Sequence, residues 1–236
     1  MMKSLNFNNL EIKILGRSQK GQDSILKYIF DTIGTTDNYY VEFGAVDGDT
    51  SCNTWYFKNY ENWSGLLLDT SYENLSINLH SHHITKDNIC ELFQKYNVPQ
   101  KFDFLCVDID GNDYWVLSEI LKQYNPNVIM IETNVRFNPD QSVVMKYNAN
   151  WNWNGYDWYG ASPLAVKNLC EKYNYSPVYL HLDDLILVNN SCLHADNINR
   201  NWLDIYPKSS VELYSDHIKP GHGPILEMDA NNWITV

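Results

Sequence analysis

Tyr39-Tyr-Val-Glu-Phe-Gly-Ala-Val-Asp-Gly-Asp-Thr-Ser-Cys-Asn-Thr54 is the stretch that decides the fold. An apolar run closes on Glu42, a turn follows with Gly44 and Gly48, and the chain then enters a segment able to start a helix. A strand that stops at glycines and feeds a helix brings bare backbone N–H groups close to a ligand. Three later apolar runs also close on an acid: Leu66–Asp69, Phe104–Asp108 and Val128–Glu132. If the four strands are parallel, their carboxylates line one edge of one sheet. Open α/β sheets bind ligands at that edge.

Outward from these runs, strand and helix patterns alternate. Ile25, Leu26, Ile29, Phe30 and Ile33 form one helical face within Ser18–Ile33. Trp55, Tyr56, Asn59 and Tyr60 suggest a helix after the first strand, and Leu75 and Leu79 suggest another after the second. His83–Thr85 fills the place of a third strand. Ile89, Leu92, Phe93 and Tyr96 give a helix that stops near Pro99, and Trp115, Val116, Ile120 and Leu121 give the next. Residues 148–159 have no regular period and read as a long loop. A helix over Pro163–Tyr173 then leads to Val178–Leu180 and Leu185–Val188, close enough together for a hairpin. The expected fold is a Rossmann-like α/β three-layer sandwich with a mainly parallel sheet and an antiparallel edge hairpin. One domain is expected over residues 1–193. The extension 194–236, with Trp202, Tyr206, Tyr214, Trp233 and a Pro220-Gly-His-Gly-Pro224 turn cluster, has no assignable pattern.

The formal net charge of −12 argues against a grip on nucleic acid phosphates and against an anionic membrane surface. The 5 cysteines make an odd count without a Cys-x-x-Cys pair, which suits a reducing compartment. No signal peptide and no apolar run of membrane-spanning length is read, so a cytoplasmic protein is expected.

Chemistry is concentrated at three places. In Gly44-Ala-Val-Asp-Gly48 an acid sits inside the turn, which suits a ligand with a cationic end better than a pyrophosphate. Asp69, at the second strand end, can accept hydrogen bonds from both hydroxyls of a ribose. Together they fit S-adenosylmethionine, the alternative being a glycine turn with surface acids. In Asp108-Ile-Asp-Gly-Asn-Asp113 the strand end neighbours that of Glu132 and Asn134 if the sheet is parallel, so Asp108, Glu132 and Asn134 could converge as an all-oxygen set on Mg²⁺ or another hard divalent cation. Asp113 is read as turn chemistry that caps the next helix. The Asp108-Ile-Asp110 triplet also admits a nucleotide-sugar glycosyltransferase as a minority reading. Third, Trp151-Asn-Trp-Asn-Gly-Tyr-Asp-Trp-Tyr159 interleaves aromatics with amides. Trp151, Trp153, Trp158 and Tyr159 could stack on an acceptor's sugar rings or fold over the sheet as a satellite core. His181 stands at a strand end where a base could be placed, although a lone histidine is more often structural.

With these residues in view, the chain resembles an FkbM-type class I S-adenosylmethionine-dependent methyltransferase. The likeness rests on Ser18-Gln-Lys-Gly-Gln-Asp23, Val41-Glu-Phe-Gly-Ala-Val-Asp-Gly48, Asn53-Thr54 and Trp63-Ser-Gly-Leu-Leu-Leu-Asp69. It continues through Phe104–Tyr114 and Ile131-Glu-Thr-Asn134. The resemblance implies a sheet of about seven strands, with cofactor contacts from Gln19, Glu42, Gly44, Ala45, Asp47, Gly48, Asn53, Asp69, Thr70, Asp87, Asn88 and Asp108. Asp87 is expected near the adenine. Such enzymes methylate hydroxyls, so an O-methyltransferase acting on a glycan or other polyhydroxylated small molecule is expected; a binding protein that kept the fold without the chemistry is the alternative. The lysine base of some metal-dependent relatives is absent, since Gly111-Asn112 occupies its turn. Asp108 is expected at the reacting centre, with Asp110 and His181 as the candidates for the base.

Overall fold

The computed structural model describes residues 3–153, 155, 158–198, 200–208 and 229–236. Its central sheet is built from β1 (Tyr39–Phe43), β2 (Ser64–Asp69), β3 (Leu79–Ser81), β4 (Lys101–Val107), β5 (Asn125–Glu132), β7 (Tyr175–His181) and β8 (Asp184–Asn189). A smaller sheet pairs β6 (Val143–Met145) with β9 (Trp233–Thr235). The helices are α1 (Gln22–Ile33), α2 (Trp55–Tyr60), α3 (Ile89–Lys95), α4 (Asp113–Ile120), α5 (Pro163–Glu171) and α6 (Trp202–Ile205). The large sheet runs β3-β2-β1-β4-β5-β8-β7, with β8 antiparallel to both neighbours and the other pairings parallel.

Alternation along the buried strands explains the layers, because successive side chains point to opposite faces. Val41, Phe43, Leu105, Val107, Ile129 and Ile131 pack with Phe93 of α3, Val116 and Leu117 of α4 and Val166 of α5. Tyr40, Phe104, Cys106, Val128 and Met130 turn the other way, onto Ile25, Leu26, Ile29 and Phe30 of α1 and Phe57 of α2. Both faces are covered, so the strands read as nearly continuous apolar runs.

The third strand is Leu79–Ser81 and not His83–Thr85, and it pairs Leu67↔Leu79 and Asp69↔Ser81. Leu79 supplies its buried residue, while His82 donates its N–H to the Asp69 carbonyl at 2.7 Å as the chain leaves the sheet. The helix expected through Leu75 and Leu79 shrinks to one 3-10 turn, Leu75–Ile77. Asn74 caps its start, and left-handed Asn78 ends it at φ 58°. The β6–β9 pair was not expected. Lys146 N–H donates to the Asn232 carbonyl (2.7 Å) and Val236 N–H to that of Ser142 (3.0 Å), extending the pairing past both strands. Trp202 Nε1–H reaches the Pro139 carbonyl at 2.8 Å and Tyr206 Oη–H the Val135 carbonyl at 2.8 Å, tying α6 to the segment after β5. Tyr214 and the Pro220–Pro224 cluster lie outside the described residues.

Buried Asp103 anchors the connection between α1 and β1. Its carboxylate accepts the N–H groups of Thr36 (2.9 Å), Asp37 (3.0 Å) and Asn38 (2.8 Å) and the Asn127 amide (2.7 Å). Burial alone would raise its pKa; the donors from Asp37, Thr36 and Asn127 outweigh burial and hold it below the usual value. Asp103→Ala removes a charged acceptor from several buried donors, and a loss of about 3 kcal/mol in urea unfolding is expected. A loss below about 0.5 kcal/mol would contradict this anchoring role.

Candidate functional site

The turn after β1 is held from beneath by Glu42. Its side chain accepts from Asn53 N–H (2.8 Å), Thr54 N–H (3.0 Å), Thr54 Oγ1–H (2.5 Å) and Cys52 Sγ–H (3.1 Å). With 1% of its surface exposed, Glu42 shapes the loop from inside and does not line the cleft. Gly44 comes so close to β4 that a Cβ there would lie 2.1 Å from the Asp108 carbonyl oxygen, and its φ is +64°. No other residue fits that position. Val46 is also left-handed (φ 49°), a strained conformation for a β-branched residue, and it directs its N–H to Asp69 Oδ2 at 3.0 Å. Asp69 Oδ1 accepts Ser71 N–H at 2.8 Å. Each Asp69 oxygen therefore keeps acceptor capacity toward the cleft.

That cleft, of about 250 Å³, lies over the strand ends. Gly44, Asp69, Thr70, Ile84, Asp108 and Trp151 are among its walls. A larger groove of about 430 Å³, between the N-terminal segment, β7 and residues 196–205, shares none of these residues and none of the strand-end acids.

Register brings the β4 and β5 ends together through Val107↔Ile131. Side-chain oxygens of Asp108, Asp110 and Glu132 all lie within 4.8 Å of one another. Glu132 Oε1 accepts Tyr159 Oη–H at 2.8 Å, whereas Oε2 is buried without a hydrogen-bond partner among the described residues. Burial pushes the Asp108 carboxyl well up, reinforced by the charges of Asp184 and Asp110. Burial does the same to Glu132, reinforced by Asp108 and Asp113. Both oxygens of Asp113 are occupied by Ile109 N–H (2.8 Å) and Gly111 N–H (2.7 Å), so it braces the turn as expected but does not cap α4, whose N-cap is Asn112 without a side-chain cap bond.

The residues expected from sequence divide clearly. Asp69, Thr70, Gly44, Asp108, Asp110, Trp151 and Trp153 meet at the cleft. Ala45 and Gly48 are buried in the loop, and exposed Asp47 closes it by accepting Thr50 N–H at 2.6 Å. Gln19 is exposed and does not line the cleft. Asp87 accepts Tyr147 Oη–H at 2.7 Å and Asn88 closes its own turn onto Thr85 and His83; His83 and Ile84 are the lining residues there instead. His181 bonds the Lys20 carbonyl at 2.9 Å, away from the cleft. Asn134 braces the following loop, its Oδ1 accepting Arg136 N–H (3.2 Å) and its Nδ2 donating to the Tyr159 carbonyl (3.0 Å). Asp110 completes the carboxylate group in its place. Trp158 packs on Phe137. Asp184 went unassigned at the sequence level, although its pairing with Glu132 across β5 and β8 adds another acid beside the cluster.

The methyltransferase FkbM domain profile matches residues 26–176. The chain belongs to the FkbM methyltransferase family. It is an S-adenosylmethionine-dependent methyltransferase. Among solved structures, a candidate O-methyltransferase from Klebsiella pneumoniae is 14% identical, with 75% of this chain and 84% of that chain covered and a TM-score of 0.44. An O-methyltransferase family protein from Burkholderia thailandensis is 7% identical over 71% of this chain and 58% of its own, at a TM-score of 0.38. The MycE methyltransferase of mycinamycin biosynthesis, solved with Mg and SAH, is 11% identical over 83% of this chain and 55% of its own, at 0.39. This chain thus spans little more than half the length of the last two. A search of curated proteins finds no match. Among the described residues no helix is long and apolar enough to cross a membrane.

The family's cofactor fits what this cleft offers. Gly44 lets the backbones after β1 and β4 close on each other at the cleft wall, and Asp69 offers acceptors suited to ribose hydroxyls. Asn53 Oδ1 is a buried acceptor in the loop without a partner among the described residues.

Raised carboxyl pKa values carry a definite pH signature. Stability from such groups is complete below their unfolded pKa, about 4, and is lost as pH rises through the folded value. Burial likewise pushes Asp113 up, to about 6, and Asp108 and Glu132 are well raised. With EDTA present, Glu132→Gln should therefore raise Tm relative to the parent more at pH 8 than at pH 5. An equal difference at both pH values would contradict buried, repelling carboxylates.

Proposed function

We propose that the protein transfers the methyl group of S-adenosylmethionine to a hydroxyl of a sugar, glycan or other polyhydroxylated small molecule, with a divalent cation held by Asp108, Asp110 and Glu132. The observation that carries this reading is the set of three carboxylates with oxygens within 4.8 Å of one another beside the cleft, with Glu132 Oε2 buried and without a partner among the described residues. An acidic group of this kind is costly to bury as anions and suits a hard cation with oxygen ligands. When bound, S-adenosylmethionine supplies a methyl group on a sulfonium. A cation at the three carboxylates supplies Lewis acidity that lowers the pKa of an acceptor hydroxyl.

The rest of the work falls to the chain's own residues. Asp69 would hold the ribose, with Gly44 beside it in the cleft wall. Direct displacement needs donor and acceptor in line, so positioning supplies most of the catalysis. Trp153, 38% exposed at the cleft, and Asn152 beside it offer a ring face and an amide to a polyhydroxylated acceptor. Asp110, first considered as a base, stands with Asp108 and Glu132 and is better used as a cation ligand. As the methyl passes to the acceptor oxygen its bond to the sulfonium sulfur breaks, S-adenosylhomocysteine leaves, and the hydroxyl proton would pass to solvent water.

S-Adenosylhomocysteine at 100 times its dissociation constant should stabilise the protein by about 2.7 kcal/mol. Asp69→Ala should weaken that binding about tenfold or more through the lost hydrogen bonds to the ribose. Asp108→Asn should keep the cofactor and lower methyl transfer by about 100-fold or more, and EDTA should do the same to the parent. Full transfer in EDTA would remove the cation from this account, and binding of S-adenosylhomocysteine without transfer to any hydroxylated acceptor would remove the O-methyltransferase reading.

A further inference from the structure

We propose that Trp151 is a positioning residue for the carboxylate cluster, fixing Asp110 beside Asp108 and Glu132 when residues 148–153 lie over the cleft. The inference rests on the cation reading above and gives Trp151 a different task from the acceptor platform expected of it.

Asp110 adopts φ 53°, a left-handed conformation that L-residues other than glycine adopt at a cost and that aspartate tolerates better than most. Trp151 Nε1–H donates to the carbonyl oxygen of this same residue at 2.7 Å. Its indole lies directly against the next residue: a Cβ on Gly111 would stand 2.2 Å from Trp151 Nε1 and 2.4 Å from Cδ1. Gly111 is thus the space into which the ring fits.

The contact is one of a set. Asn112 Nδ2 donates to the Asn148 carbonyl (2.8 Å), and Asn148 N–H returns a bond to Asn112 Oδ1 (3.4 Å). Trp151 N–H donates to the Asn148 carbonyl (2.9 Å), and the Ala149 carbonyl meets the His83 ring at 2.7 Å on the other wall of the cleft. The loop therefore clasps the β4 turn through backbone and amide bonds, and Trp151 is the member that grips Asp110 itself. Its one indole donor is engaged there and is not available to an acceptor. The placement of a carboxylate in the cluster thus depends on a residue 41 positions later in the chain. Loop closure and cation affinity are coupled by that bond.

The test is Mn²⁺ binding to the full chain, followed by electron paramagnetic resonance without any acceptor, for the parent, Trp151→Phe, Gly111→Ala and Trp115→Phe. Trp151→Phe keeps a ring and loses the donor, while Gly111→Ala keeps the tryptophan and displaces it. Trp115→Phe is the control, because that indole also donates to a backbone carbonyl on the same side of the β4 turn, that of Met145 in β6 at 2.8 Å. A loss of about tenfold in Mn²⁺ affinity is expected for the first two, the size of one buried hydrogen bond, with the control unchanged. Tight Mn²⁺ binding by the parent and both test variants alike would overturn the role of Trp151 while leaving the cation site standing. An equal loss in the control would overturn it as well, showing general loosening of the loop. No binding by the parent would overturn the cation reading and this role together.

Discussion

Three partly buried carboxylates with oxygens within 4.8 Å of one another at the sheet's strand ends repel each other when all are charged. That constraint organises the site. Burial and this repulsion raise the carboxyl pKa values of Asp108 and Glu132, and the Tyr159 hydroxyl donates to one Glu132 oxygen. A cation would answer it more completely, since it neutralises the charge and fills the coordination of the orphaned Oε2.

The sheet creates this crowding through topology alone. Parallel β1, β2, β4 and β5 carry their C-terminal acids to one edge, and antiparallel β8 delivers Asp184 opposite Glu132 at the same edge. The acids then take separate tasks. Glu42 turns inward and organises residues 52–54. Asp69 faces the cleft with backbone donors behind it. Asp108 and Glu132 form the cluster. Four strands ending in the same chemistry give three different functions because the loops that follow present different donors.

Most of the architecture could be read from the sequence because buried parallel strands and amphipathic helices leave strong patterns. The four acidic strand ends, the helical faces of α1, α3 and α4 and the final hairpin all follow from hydrophobic period. The third strand was displaced because Leu79–Ser81 has one buried side chain, too little to stand out beside the His83–Thr85 run. The β6–β9 pair brings together segments some 90 residues apart through three residue pairs, a separation that local pattern does not encode. In the site, residue type was informative and orientation was not. Glu42, Asp87 and Asn134 are oxygen donors at strand ends or turns, yet each is engaged by nearby backbone or a tyrosine. Asp110 entered the cluster through a left-handed turn that the Asp-Gly-Asn sequence permits but does not by itself dictate.

The central claim is that the acidic strand edge holds the cofactor and a cation side by side. The most direct measurement is a crystal structure grown with S-adenosylhomocysteine and Mn²⁺, with the metal located by anomalous scattering. The account predicts the ribose on Asp69 and an anomalous peak among Asp108, Asp110 and Glu132. Cofactor in the cleft with no peak at those carboxylates, under saturating Mn²⁺, would contradict it.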